Sequence, residues 1–375
     1  MTHLKAKLAQ ITLSFLLFHH TLSSEIVNTF YGALDVQEPV LLELIESPSF
    51  TRLKSVRQYG VVYYTEFPEE YTRYDHSLGV FHILRVKGAS LKEQIAGLLH
   101  DASHTAFSHV GDWIFDKIGA EKDYQNSIHV EYLERSGLAT ILGKYGYTAE
   151  EMQPVSELYP MLEQKGPALC ADRIEYNIQG AYHQGFITRE EAAEILDDFR
   201  YIDGDWIATD LKRMKKLVSF SLYMTEHCWG GVNNYLASRW LAESILRAVE
   251  LGILTWDAIH FGVDEAIWLT LFESPDPEIQ ARMRKILDVP SYFILTDEAD
   301  ADLKFNSKFR GINPWVLVNG KKVRLLETDF LLHKAWTEVQ ERVQKGWSVK
   351  LIDPLAEKTP NTTALQETSS FGEQR

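Results

Sequence analysis

Six of the chain's 13 histidines fall between residues 76 and 129: His76, His82, His100, His104, His109 and His129. Scattered surface histidines do not gather so tightly, and apolar residues flank most of these. In Gly97-Leu98-Leu99-His100-Asp101-Ala102-Ser103-His104 an imidazole and a carboxylate are adjacent in a stretch that reads as helix. On a helix, His100 and His104 share one face. His76 precedes His100 by 24 residues and Asp172 follows Asp101 by 71, each among apolar helical residues. A buried imidazole or carboxylate needs a partner. One divalent ion held by His76, His100, Asp101 and Asp172 would satisfy all four, and neutral imidazole with carboxylate suits manganese, iron, zinc or magnesium. The chain must therefore bring three distant segments to one point.

Its length and composition permit this. At 375 residues with 45% hydrophobic side chains, it can bury a large core. A net charge of -15 disfavours a stable nucleic-acid complex. A small phosphorylated partner remains compatible, because a metal and a few local arginines can outweigh the distant field. Cys170 and Cys228 form no C-x-x-C pair, which excludes a thiolate zinc site.

Apolar spacing of three and four predicts mostly helix: 38–46, 49–58, 71–86, 91–102, 106–118, 125–134 and 167–182. Thr188-Arg189-Glu190-Glu191 reads as a capping box opening another helix. Longer helices are expected over 211–228 and 235–251, and one over 329–344. Asp203-Gly204 and Asn319-Gly320 mark two hairpins. The expected fold is mainly α, a helical core with small β-hairpin additions in the C-terminal half. The expected organisation is a leader over 1–24, a metal-binding core over 25–200, a helical part with short hairpins over 201–352 packed on that core, and a disordered tail over 353–375. Lys5 and Lys7, the apolar run 8–18 and the small polar residues 21–24 have the layout of a secretory signal peptide. An amphipathic leader fits equally well, so export and cytoplasmic residence both stay open. The body contains no stretch expected to span a membrane.

The order His…His-Asp…Asp resembles the HD-domain superfamily of metal-dependent phosphohydrolases, and in particular the deoxynucleoside triphosphate triphosphohydrolases and their bacterial relatives. The resembling segments are 52–60, Arg73-Tyr74-Asp75-His76-Ser77-Leu78-Gly79-Val80, 94–109 and Ala171-Asp172-Arg173-Ile174-Glu175-Tyr176. The resemblance implies an HD-type helical core, hydrolysis of a nucleotide, a divalent metal on His76, His100, Asp101 and Asp172, and often a homo-oligomer. It implies catalytic roles for His104, for His109 with Asp112, and for His129. Gln58, Arg73, Arg173 and Tyr176 would contact substrate. Three departures bear on the substrate or on turnover. Ala102, Ser103, Thr105 and Ala106 replace the usual loop residues, Tyr59 stands at a leucine position, and Gly180 stands at that of a sugar-binding aspartate. The alternatives they motivate are a phosphomonoesterase or phosphodiesterase acting on another small molecule, and a metal-bearing nucleotide-binding module with little turnover. Lys308-Phe309-Arg310 and Lys321-Lys322 read as solvated loops, the alternative being added positive charge near a phosphate.

Overall fold

The computed structural model describes residues 24–65, 70–116 and 123–354. The leader and tail expected from the sequence lie almost wholly outside them, as does the end of the helix expected over 106–118.

An antiparallel hairpin opens the described chain, β1 (Glu25–Thr29) and β2 (Gly32–Val36). Then come α1 (Pro39–Glu46), the single turn α2 (Pro48–Thr51), α3 (Arg73–Val86) and α4 (Leu91–Leu99). They are followed by α5 (Val110–Asp116), α6 (Tyr124–Ser127), α7 (His129–Arg135), α8 (Leu138–Lys144), α9 (Ala171–His183) and α10 (Arg189–Asp198). α3 is the pivot of this half. Residues 76–84 are buried without interruption, because the helix packs against α4 on one side and α9 on another. A helix surrounded in this way can carry a polar side chain into the interior. Its start is fixed by a reciprocal cap: Thr72 Oγ1 accepts from Asp75 N, and Asp75 Oδ2 accepts from Thr72 N. Arg73 is therefore the first helical residue, and His76 lies one turn on. The same cap forms at Thr188 and Glu191.

The second half begins with the hairpin β3 (Arg200–Ile202) and β4 (Asp205–Ala208). α11 (Leu211–Met224) runs on through one π-helical turn at Thr225–Trp229. α12 (Val232–Glu250), α13 (Trp256–Phe261), α14 (Asp264–Phe272) and α15 (Pro277–Leu287) follow. β5 (Phe293–Leu295), β6 (Leu303–Phe305), β7 (Trp315–Val318), β8 (Lys321–Arg324), α16 (Phe330–Lys345) and β9 (Trp347–Leu351) complete it. β4 pairs parallel with β7, and β9 pairs antiparallel with both β5 and β6. α12 packs on α5, and α11 packs on α9. The second half thereby becomes a wall over the helices that carry the histidines. Among the described residues no helix is long and apolar enough to cross a membrane.

The helix expected over 91–102 stops early, and those expected over 106–118 and from Pro167 begin late, the first of these at Val110. α4 ends at Leu99, and residues 100–109 form turns instead of a continuation. His100 and His104 therefore do not share a helical face. Phe107 and Ser108 hold φ of 59° and 54°, a region costly for a side chain of phenylalanine's bulk. Asp264, at the start of α14, holds the loop in place. Its Oδ1 accepts from Phe107 N at 2.6 Å and its Oδ2 from Arg57 N at 2.9 Å. Burial pushes the Asp264 carboxyl up to about 6, against the pull of those two amides. The helix expected from Pro167 begins at Ala171.

Candidate active site

His76, His100, Asp101 and Asp172 converge. The Nε2 atoms of His76 and His100 are 3.1 Å apart. Asp172 Oδ1 is 3.0 Å from the first and 3.7 Å from the second. Asp101 oxygens lie 3.4 and 3.5 Å from the same two nitrogens. Each imidazole is held from behind. His100 Nδ1 donates to Gly97 O at 2.7 Å, and His76 Nδ1 is hydrogen-bonded to Glu175 Oε2, which also accepts from Tyr71 Oη at 2.7 Å. With both Nδ1 atoms occupied, both Nε2 lone pairs face the shared point, as metal-ligating histidines require. Two imidazole nitrogens and two carboxylates around one volume fit a divalent ion.

Electrostatics agree with this donor set. Burial alone would lower His76, but Glu175, Asp172 and Asp101 outweigh it and raise the imidazole to about 10 in the absence of an ion. That is the signature of a position built for positive charge. Burial would raise the Asp101 carboxyl, yet Arg73 and the nearby imidazoles hold it well below the usual carboxylate range.

Glu175 was not anticipated from the sequence, although it follows Asp172 by one turn of α9 and so shares its face. Its carboxylate is wholly buried, and Gly79 makes the room: a Cβ there would stand 2.4 Å from Glu175 Oε1. Gly79→Ala should therefore displace Glu175, turn His76, and weaken manganese binding by about 10- to 100-fold. Metal titration of the purified variant checks this, and wild-type affinity would show that Glu175 does not orient the ligand.

A cleft of about 1070 Å³ opens beside the four donors, and Asp101, His100 and Asp172 line it. His104 and His109 face it with rings 5.1 Å apart, edge to face. His104 Nε2 lies 3.3 Å from Asp101 Oδ1, while burial and the Arg73 charge press its imidazole down to about 3. His109 immediately precedes α5. Its Nδ1 is 3.3 Å from Asp112 Oδ2, and Asp112 Oδ1 accepts from Tyr124 N at 2.9 Å. His109 lines the cleft, and 55% of its side chain is exposed. The surrounding protein lowers its pKa, and Asp112 offsets this only in part.

The remaining expected residues divide. Gln58 and Tyr176 line the cleft, and Gln58 Oε1 is buried without a hydrogen-bond partner. Arg73 lines it too, but its guanidinium is engaged with Asp101 Oδ2 at 2.6 Å, Ser108 Oγ at 3.0 Å and Gln58 O at 3.3 Å. Arg173 gives one Nη1 to the carbonyls of Gln164 and Ala168, both at 2.7 Å. His129 is not brought to the cleft wall. It is wholly buried, with Nδ1 3.0 Å from Ser103 Oγ. Lys308 and Arg310, read as a solvated loop, stand in the cleft lining instead, whereas Lys322 pairs with Asp205.

Tyr59 and Gly180 form one feature. A Cβ at Gly180 would lie 2.7 Å from Tyr59 Oη and 3.2 Å from Phe220 Cζ. The phenol thus fills the space that a side chain on α9 would occupy. Gly180→Ala should destabilise the protein by about 1–3 kcal/mol through overpacking. In a Tyr59→Leu background that cost should fall by about half or more, as a cycle of denaturant melts would show. Equal costs in both backgrounds would mean that the two positions are independent.

This helical architecture, with two histidines and two aspartates converging beside a cleft, is that of a metal-dependent phosphohydrolase. The HD domain family matches residues 73–153. A metal-dependent phosphohydrolase of Cordyceps militaris, cns2, is 30% identical over 79% of this chain and 85% of its own length. The chain belongs to the HD-domain family of metal-dependent phosphohydrolases. YdhJ of Bacillus subtilis, an uncharacterised protein, is 29% identical over 88% of this chain and 99% of its own length. The human deoxynucleoside triphosphate triphosphohydrolase SAMHD1 is 30% identical over 35% of this chain and 24% of its own. A crystal structure of a phosphohydrolase from Bacteroides thetaiotaomicron shares the fold at a TM-score of 0.62 and 18% identity, covering 87% of this chain and 99% of that one.

Proposed function

We propose that this chain hydrolyses a nucleotide, in the manner of a deoxynucleoside triphosphate triphosphohydrolase, releasing inorganic phosphates. The observation that carries this reading is the convergence of four metal-ligand side chains beside one cleft that His109, Asp112, Gln58 and Tyr176 line. His76, His100, Asp101 and Asp172 would hold a divalent ion. An ion there supplies Lewis acidity toward a phosphoryl oxygen and toward water. Arg73 fixes the Asp101 carboxylate through a charge-assisted bond. His109 is positioned to pass a proton to the departing oxygen, with Asp112 setting its ring orientation. His104 sits neutral and buried against Asp101 and adds no positive charge to the cleft. The partial likeness to SAMHD1 supports a nucleotide.

Purified protein with manganese should be incubated with a panel of nucleoside and deoxynucleoside triphosphates and the products separated. Release of phosphates from at least one is expected, and none from any would retire the reading. One observation favours a second reading, a phosphomonoesterase or phosphodiesterase acting on another small molecule: Tyr59 packs over Gly180 and closes the pocket at that point. Faster cleavage of a chromogenic phosphoester than of any triphosphate would establish it.

A further inference from the structure

The cations that line the cleft differ in how they are engaged: Arg73 and Arg173 are tied to the protein, whereas Lys165, in the loop before α9, pairs with no carboxylate among the described residues. Arg73 is held by Asp101, Ser108 and Gln58, and Arg173 is tied to the loop before α9. The segment between β6 and β7 brings Lys308 and Arg310 to the lining. Neither pairs with a carboxylate among the described residues.

That segment is anchored in place. The buried Ser221 brackets Arg310: its Oγ donates to Arg310 O at 3.3 Å and accepts from Ile312 N at 3.2 Å. Ser307 Oγ donates to Gly230 O at 3.2 Å. Phe309 meets Trp336 edge to face at 4.7 Å between centroids. Gly311 fits against that pair, since a Cβ there would lie 2.2 Å from Phe309 Cζ. Arg310 lines the same cleft as His109 and Tyr176.

Lys308 and Arg310 bring two positive charges on an anchored loop to the cleft of a chain of net charge -15. A phosphate chain carries several negative charges and needs such local compensation. The cleft volume also exceeds what one phosphate group would fill.

We propose that Lys308 and Arg310 form an anion subsite that grips the phosphates of a polyphosphate chain remote from the one at the metal centre. The C-terminal half then supplies the grip, and the helical core supplies the chemistry. The proposal rests on the nucleotide reading above and deepens it.

The test uses the full chain loaded with manganese, with inorganic triphosphate as the binding probe and a nucleoside triphosphate and a chromogenic phosphodiester as substrates. Arg310→Gln should weaken triphosphate binding by about 10- to 100-fold, the range for losing charge-assisted bonds. Lys308→Gln should weaken it by roughly threefold, as expected of a more exposed cation. Arg310→Lys should recover part of the loss. KM for the nucleotide should rise with the same ranking while kcat changes less, and metal content and diester turnover should stay within about twofold of wild type.

Undiminished triphosphate affinity in Arg310→Gln overturns the proposal, as does no triphosphate binding by the wild type or an equal loss for orthophosphate. If Arg310→Gln does not fold, the charge reversal Lys308→Glu carries the test, and unchanged affinity there overturns the proposal. Arg310-dependent triphosphate binding without turnover of any nucleotide sinks the nucleotide reading and leaves the subsite standing. Nucleotide turnover indifferent to Arg310 does the reverse.

Discussion

Asp101→Asn should leave the purified protein with less than about a tenth of the wild-type metal and cut turnover by at least about a thousandfold. Asp101 faces both imidazole nitrogens at 3.4 and 3.5 Å and carries one of the two negative charges of the donor set. An amide keeps the shape and loses the charge. The substitution has a second cost, because Arg73 loses its carboxylate at 2.6 Å in a place where both partners are almost wholly buried. Breaking a buried pair from one side costs about 3–5 kcal/mol. The two effects separate in the double variant Arg73→Gln with Asp101→Asn, which should regain stability and stay metal-poor. Metal analysis and thermal melts on the same preparations decide this. Full metal occupancy in Asp101→Asn would mean that the ion sits elsewhere.

His109→Ala is expected to behave in the opposite way, with metal content unchanged and turnover lowered by about 10²- to 10⁴-fold. His109 lies outside the four donors, and its ring is open to the cleft. Its pKa is lowered from 6.5 by the surrounding protein, so in the free enzyme most of it is neutral at pH 7. As a proton donor it is ready only on the acid side of that pKa. The quantity kcat/KM should therefore fall as pH rises through a value below 6.5, and this fall should disappear in the variant. Turnover within about threefold of wild type would remove His109 from the reaction.

Part of the fold was legible because its signals are local. The cap at Thr188 acts within four residues, and the Asp-Gly and Asn-Gly turns act within two. That His76, His100, Asp101 and Asp172 lie together was legible because polar residues in apolar helices must find partners, and few groupings satisfy them. What escaped the sequence depends on contacts made at a distance. β9 pairs with β5 and β6 from about fifty residues away, and nothing in a five-residue strand announces its partner. Residues 100–109 leave the helix because Asp264, far along the chain, captures Phe107 N. Glu175 and Gly79 belong together only once α3 lies against α9. The complementarity of Tyr59 and Gly180 likewise exists only in three dimensions. Lys308 and Arg310 look like ordinary loop cations until α11 and α16 turn them inward.

The spacing of the donors along the backbone has a mechanical consequence. His76, His100 and Asp101 are close in sequence, whereas Asp172 returns to them after a long excursion. An ion bound at all four would act as a removable tie across that excursion, and because the four side chains meet only in the folded chain it would stabilise the native state by mass action. At an ion concentration a hundredfold above its dissociation constant, the native state gains about 2.7 kcal/mol. The loaded protein is then sturdier than the stripped one, and the excursion between residues 102 and 171 is where a protease gains most when the tie is undone.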